Sequence, residues 1–561
     1  MKKVLLGLLT FTLAWCGGVP AVAVERNVRD FGAVGDGRTF DTAAINRAIE
    51  DAAAAGGGTV VLPAGNYLSY SIRLRSYITL RFEAGATLIA AEPPPVGEPG
   101  GYDAPEPNEW NQYQDFGHSH FRNSLLWGES LVDVAIVGPG RIFGRGLSRG
   151  NGRVALPVGV ELPLKPGVLL PDVLAADGEF EIIPRPDLKP GPFGYPNARD
   201  TQAPGGANKA IALKNCRNVT LRDFSVLHGG HFAILATGVD NLTIDNLLID
   251  TNRDGIDIDA CSNVRVTNTS VNSPWDDGIC LKSSHALGYK RVTENVTIAN
   301  CFVSGFDEGT LLDGTRKRTA QHRGGTMGRI KLGTEAGGGF RNITITNCVF
   351  EYSRGLALEQ VDGGVLEDIA ISNLTMRDVN NAPVFIRLGG RLRAPDTKTP
   401  GTARRILISN LVAYNVAPEH GILISGLEGY PVEDVTLSNL QIYYRGGGTV
   451  EQAQREVPEY VKDYPDPWNF GPMPSWAMFV RHAKNFTVHD VQFHLLAPDA
   501  RPAVMFDDVV GARLRDIRLP EAATDAGKAW RLRATAEVVA RGVSGLPEGV
   551  VAIADPRAAG R

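Results

Sequence analysis

One short pattern recurs through most of the chain: an Asn, alternating apolar and polar positions, often a second Asn, then further apolar residues. It appears at Asn218-Val-Thr-Leu-Arg-Asp, Asn241-Leu-Thr-Ile-Asp-Asn, Asn263-Val-Arg-Val-Thr-Asn, Asn295-Val-Thr-Ile-Ala-Asn and Asn342-Ile-Thr-Ile-Thr-Asn. Weaker copies start at Asp368, Arg405, Asp434 and Asn485. A period of two means strands with one buried face. The first three starts are 23 and 22 residues apart, and later spacings stretch from 26 to 51. A repeat of about 22 residues fits one coil of a parallel β-helix, with loops inserted where the spacing grows. Leucine-rich repeats share the period, but their Leu signature is absent, and a propeller blade needs about 40 residues. The pattern predicts an all-β, right-handed parallel β-helix whose inward Val, Ile and Leu stack into one core. Asn at matching corners can bond the turns.

An exposed first coil invites edge pairing. Asp41–Ala55 reads as an amphipathic helix that closes it, with Asp41 or Thr42 at the N-cap and Gly56-Gly57-Gly58 after the last turn. Three Pro-, Gly- or aromatic-rich stretches break the repeat: 93–122, 151–208 and 446–475. Long loops in a compact repeat protein usually carry function. Their aromatics, among them Trp110, Tyr113, Tyr460, Tyr464, Trp468 and Phe470, either stack on sugars or pack the loops.

Lys2 and Lys3 precede an apolar run from Val4 to Trp15, and Ala21-Val22-Ala23 offers a cleavage site. Residues 1–23 thus read as a signal peptide, too short to span a bilayer. A lipoprotein at Cys16 is the weaker reading, because Trp15 is bulky. The expected product is an exported, periplasmic or extracellular protein with no membrane span. One domain would cover 24–545, with a tail over 546–561. Hydrophobic residues make up 43% of the 561 and charged residues 21%, which excludes a disordered or coiled-coil chain. Gly (64) and Pro (35) make it rich in turns. A net charge of −5 argues against a nucleic-acid partner. Past residue 23 five cysteines remain, an odd number set within apolar strands, so buried thiols are expected rather than a disulfide framework.

The chemistry concentrates where two coils align. Asn252-Arg253-Asp254-Gly255-Ile256-Asp257-Ile258-Asp259 matches Trp275-Asp276-Asp277-Gly278-Ile279-Cys280-Leu281-Lys282 through their Asp-Gly-Ile triplets. Coils stack about 4.8 Å apart, so Asp254, Asp276 and Asp277 form one cluster at the strand entrance. Asp257, Asp259 and Lys282 point outward. Mutual repulsion should raise at least one carboxyl pKa, and an acid beside ionised bases is what glycoside hydrolysis requires. An Asp-rich turn or a calcium site remains an alternative on these residues alone.

At this point the chain resembles glycoside hydrolase family 28, the polygalacturonases. Asp30-Phe31-Gly32-Ala33-Val34-Gly35-Asp36-Gly37 looks like that superfamily's opening, Asn252-Arg253-Asp254 like its Asn-Thr-Asp motif, and Asp276-Asp277-Gly278 like its Asp-Asp motif. The resemblance implies inversion by single displacement, with Asp276 as general acid and Asp254 and Asp277 handling the water. It implies no metal and no cofactor. The substrate would be a pectic polysaccharide or oligosaccharide, cut at α-galacturonosyl linkages by a monomer. A rhamnogalacturonan is the second choice.

The chain also departs from the family. The family's Gly-His-Gly has no His here: its place falls at Asp307-Glu308-Gly309 in one register and at Gly328 in another. The family's Arg-Ile-Lys is displaced, and Ala357 and Glu359 stand where its cations belong. Arg329-Ile330-Lys331 occurs one coil earlier, both cations sharing a strand face, and is expected to bind the substrate. Asn252, His231, Lys282, Glu308 and Glu359 are the other candidate substrate contacts. Lys282 would either pair Asp259 or reach the sugar. The insertions favour a pocket closed at one end and exo action. A Ca²⁺-dependent lyase and a non-catalytic glycan-binding solenoid are the competing functions.

Overall fold

The computed structural model describes residues 24–95, 97–148, 205–318, 325–523 and 529–551. The expected signal peptide over 1–23, most of the 151–208 insertion and the last ten residues lie outside them. The described residues form 37 strands joined in one continuous, almost wholly parallel sheet wound into a right-handed β-helix. Early coils carry three short strands each, so a strand pairs with the third one after it. Later, two of the three merge into single strands of 13–15 residues such as Gly339–Glu351, Val365–Arg377 and Thr402–Val416. Ile256, Ile258, Ile279, Leu281, Ile330, Leu332, Leu356 and Leu358 belong to one apolar cluster that runs the length of the coil.

The repeated Asn has a conformational cause. Asn218, Asn241, Asn263, Asn295 and Asn342 all have φ between 53° and 59°. Asn is one of the few non-glycine residues that visits this left-handed region readily. Each side chain then bonds the one on the coil below: Asn241 to Asn218 at 2.8 Å, Asn263 to Asn241 at 3.3 Å, Asn295 to Asn263 at 3.1 Å and Asn342 to Asn295 at 2.8 Å. Asp368, Arg405, Asp434 and Asn485 keep the same left-handed corner. Arg405 there bonds the Asp368 carboxylate at 2.6 Å.

The capping helix spans Thr42–Ala54 and buries Ala44, Ile45, Ala48, Ile49 and Ala52 against the first coil. Asp41 occupies the N-cap position but does not cap the helix with its side chain. Its buried carboxylate accepts from the Val34 and Gly35 amides instead, pinning the preceding turn. Gly549–Val551 pairs antiparallel with the strand Val538–Val543 and covers the last coil edge. The five described cysteines are buried, unbridged thiols. No helix among the described residues is long and apolar enough to cross a membrane.

One sheet face positions the site. Its strands stack in the order Lys209–Lys214, Phe232–Thr237, Asp254–Asp259, Ile279–Ser283, Ile330–Ala336, Leu356–Gln360 and Val384–Leu388. The 93–122 insertion covers one end, where Phe121 packs on Ala212, Phe232 and Leu235. The 446–475 insertion covers the other, where Val457, Phe470 and Met473 pack on Ala357, Phe385 and Leu423. The polar strands lie between these two apolar lids.

Candidate active site

Register makes the cluster. Ile256 pairs with Ile279, and Ile279 with Ile330, so Asp254, Asp277 and Arg329 lead three neighbouring strands. The Gly255 amide donates to Asp277 O and the Gly278 amide to Arg329 O. A Cβ on Gly255 would run into the Val271 side chain and the Gly278 carbonyl oxygen, so only glycine lets the coils approach here. Ser273 Oγ lies 2.6 Å from Arg253 O and 2.9 Å from Asp276 O and ties the two turns together. One carboxylate oxygen from each of Asp254, Asp276 and Asp277 then lies within 4.8 Å of the other two.

The three carboxyls have different surroundings. Asp276 accepts from Arg253 Nε at 3.2 Å and Nη2 at 2.7 Å. Asp277 accepts from Arg329 Nε at 2.8 Å, with Lys331 Nζ 3.2 Å from its other oxygen. Asp254 Oδ1 is buried with no hydrogen-bond partner in the protein. Burial, then the charges of Asp276 and Asp257, raise the Asp254 carboxyl well above the usual range. Of the three, Asp254 is the one whose surroundings oppose ionisation most plainly: it is buried beside two other carboxylates. Asp276 has the most open side chain of the three, at 13% exposed.

A cation bound by the trio would face Arg253, Arg329 and Lys331, which already contact two of its three members. That charge balance suits an acid–base site better than a divalent metal site.

Several expected contacts are relocated. Arg329 and Lys331 are each only 1% exposed and contact carboxylates of the protein. Lys331 Nζ lies 3.5 Å from Glu359, and Arg329 Nη2 lies 3.7 Å from Glu359 and 3.5 Å from Asp466. Burial would lower the Lys331 pKa, but Asp277 and Glu359 outweigh it and raise it. Glu359 is fully buried, and burial pushes its carboxyl up to about 7 against the pull of Lys331 and Arg329. Lys282 takes neither expected course: it contacts Glu335 at 3.4 Å, while Asp259 accepts from the Ser284 amide and hydroxyl. Glu308 contacts His228 Nδ1 at 2.7 Å. The Gly328 amide donates to Asp276 O.

His231 and Asn252 lie beside the trio. His231 stacks on Phe232 with ring centroids 4.2 Å apart, and burial, Arg253 and His118 hold its ring neutral. Its Nδ1 and both side-chain polar atoms of Asn252 are buried without a protein partner. Such atoms in a cleft are filled by ligand or water.

The sequence reading missed Arg253, His118, Tyr464 and Asp466. Arg253 sits inside a motif that was already singled out, 23 residues before Asp276, so repeat alignment could have paired them. His118 comes from the first insertion and places Nε2 3.4 Å from the buried Asp257 carboxylate. Asp466 comes from the last insertion and pairs with both Arg329 and Arg354. Tyr464 accepts from Lys331 Nζ at 3.0 Å and is 45% exposed as a residue. No local pattern announces these three; only the folding of the loops over the face brings them in. Of the insertion aromatics, Phe470 is buried against Phe385, and Trp110 and Tyr113 pack around His285.

Comparisons with known proteins bear on the fold. Residues 25–91 match a family model described as rhamnogalacturonase A/epimerase, pectate lyase-like, and 205–315 match one described as a right-handed beta helix region. A 44-residue stretch is 71% identical to mannuronan C5-epimerase AlgE3 of Azotobacter vinelandii, but it covers only 8% of this chain and 2% of that protein. The exo-poly-alpha-D-galacturonosidase of Dickeya chrysanthemi is 23% identical over 470 residues, 75% of this chain and 72% of its own. The structure of a Yersinia enterocolitica family 28 exopolygalacturonase superposes with a TM-score of 0.54 at 19% identity, covering 94% of this chain and 79% of that one. The chain is a right-handed parallel β-helix that resembles the family 28 polygalacturonases along about three quarters of its length.

Proposed function

We propose that this protein is an exported glycoside hydrolase that cleaves α-galacturonosyl linkages of pectic material. The observation that carries the reading is the trio itself: two carboxylates held by cations, and a third buried beside them whose ionisation its surroundings oppose. Asp276, the most open, protonates the glycosidic oxygen as the bond to the anomeric carbon breaks. Its proton comes from Asp254. That transfer leaves Asp254 ionised, so with Asp277 it can take a proton from the water that attacks the anomeric carbon. Arg329 and Lys331 hold Asp277 in place and do not touch the sugar.

Inversion rests on the resemblance. A spacing under 4.8 Å between carboxylate oxygens is by itself nearer that of a retaining pair. The lids at both ends of the polar strands support exo action in a short pocket. The test is reducing-end release from polygalacturonate, rhamnogalacturonan and their oligomers, with the product anomer followed by NMR. A product absorbing in the ultraviolet, with activity lost to a chelator, would instead mark a lyase. Binding without new reducing ends would mark a glycan-binding solenoid. Fast viscosity loss with few ends released would contradict exo action.

A further inference from the structure

Among the described residues, the cations around the trio are already engaged by carboxylates of the protein. Arg253 is on Asp276; Arg329 and Lys331 are on Asp277 and Glu359; Arg354 is on Asp466; and Lys282 and Arg393 are on Glu335. A uronate entering beside Asp277 would have to displace one of these anions from buried ground. Glu359 is the informative one. Both its oxygens are buried without a hydrogen bond, and its contacts are to the two cations at 3.5 and 3.7 Å. It thus supplies from within the chain the negative charge that a sugar carboxylate would bring. Tyr464 then closes the surface: its hydroxyl takes Lys331, its ring centroid lies 5.2 Å from Lys331 Nζ, and nearly half of the residue stays exposed. What faces a ligand over these cations is an aromatic ring, a surface suited to the apolar face of a neutral sugar.

We infer that Glu359 and Tyr464 make the subsite beside Asp277 select a neutral sugar over a uronate. This rests on the hydrolase reading above. That reading puts a galacturonosyl unit at the reacting carbon, so the neutral sugar is the one on the leaving side.

The test compares two disaccharides with the full chain at pH 8: galacturonosyl-rhamnose, with a neutral leaving sugar, and galacturonosyl-galacturonate. The expected result is a kcat/KM at least tenfold higher for the first. Glu359→Gln should narrow that ratio by improving KM for the acidic substrate. Tyr464→Leu, a change at an exposed ring, should raise KM for the neutral one several-fold. Equal or better cleavage of the acidic disaccharide would overturn the inference and leave the hydrolase reading standing. If neither is cleaved at pH 8 or at pH 5, the hydrolase reading falls. Calorimetry with the Asp276→Asn variant then decides the inference separately: tighter binding of the neutral disaccharide supports it, and equal, reversed or absent binding overturns it.

Discussion

Asn241 tests the physical reason for the repeat. Its backbone is left-handed at φ 57°, its side chain is exposed, and it bonds Asn218 at 2.8 Å and Asn263 at 3.3 Å. Asn241→Ala removes both ladder bonds, together about 1 kcal/mol at an exposed position. It also forces a Cβ-bearing residue with no polar side chain into the left-handed region, at about 1–2 kcal/mol. The expected loss is about 2–3 kcal/mol. Asn241→Gly loses the same bonds without the strain, though with some extra chain entropy, and should cost about 1 kcal/mol less than Ala. Urea denaturation followed by circular dichroism reads the difference. If Ala is no worse than Gly, or costs under about 0.5 kcal/mol, the corner conformation is not what selects Asn.

Asp276→Asn should lower kcat by about 10²–10⁴-fold, the usual share of general acid catalysis, and should lower the melting transition somewhat because Arg253 loses its buried partner, while the protein still folds cooperatively; near-normal turnover would remove Asp276 from the acid role. Because Asp254 must start protonated and its carboxyl is raised, kcat/KM should be present below that pKa and fall as pH rises through it, in a limb above the ordinary carboxylate range. His231 stays neutral there and should contribute no limb, so His231→Gln should leave the shape of the pH profile unchanged. Lys209 is fully buried against the Asn123 and Asn208 side-chain oxygens, and burial lowers its pKa to about 7. Between about 7 and its unfolded value the folded state holds fewer protons, so wild-type stability rises with pH. Lys209→Met should therefore stabilise more at pH 6 than at pH 9, by about 2–3 kcal/mol; an equal effect at both values would contradict this.

The coil and its acidic centre were legible because both are local and periodic. Strand alternation fixes which residues face inward, and the 23-residue offset between two Asp-Gly-Ile triplets is enough to stack Asp254 on Asp277. Arg329 and Lys331 show where periodicity stops. It correctly placed both on one strand face, yet could not tell that the 446–475 loop would fold over them. Burial and the partners Glu359, Tyr464 and Asp466 turned expected ligand contacts into internal supports for Asp277. His118 reaches Asp257 across more than a hundred residues for the same reason. Lys282 was misjudged because its choice among Asp259, Glu335 and solvent depends on the bulge where Ser283 pairs with Ala336, not on side-chain alternation. Asp41 sits where a cap belongs, but a neighbouring turn claims its carboxylate.

The most direct measurement is proton NMR of the first product released from a defined α-galacturonoside. The account predicts cleavage with the β anomer appearing first, and loss of that signal in Asp276→Asn. Initial release of the α anomer would contradict the single displacement, and no cleavage of any α-galacturonoside would contradict the assignment of the trio as a hydrolytic centre.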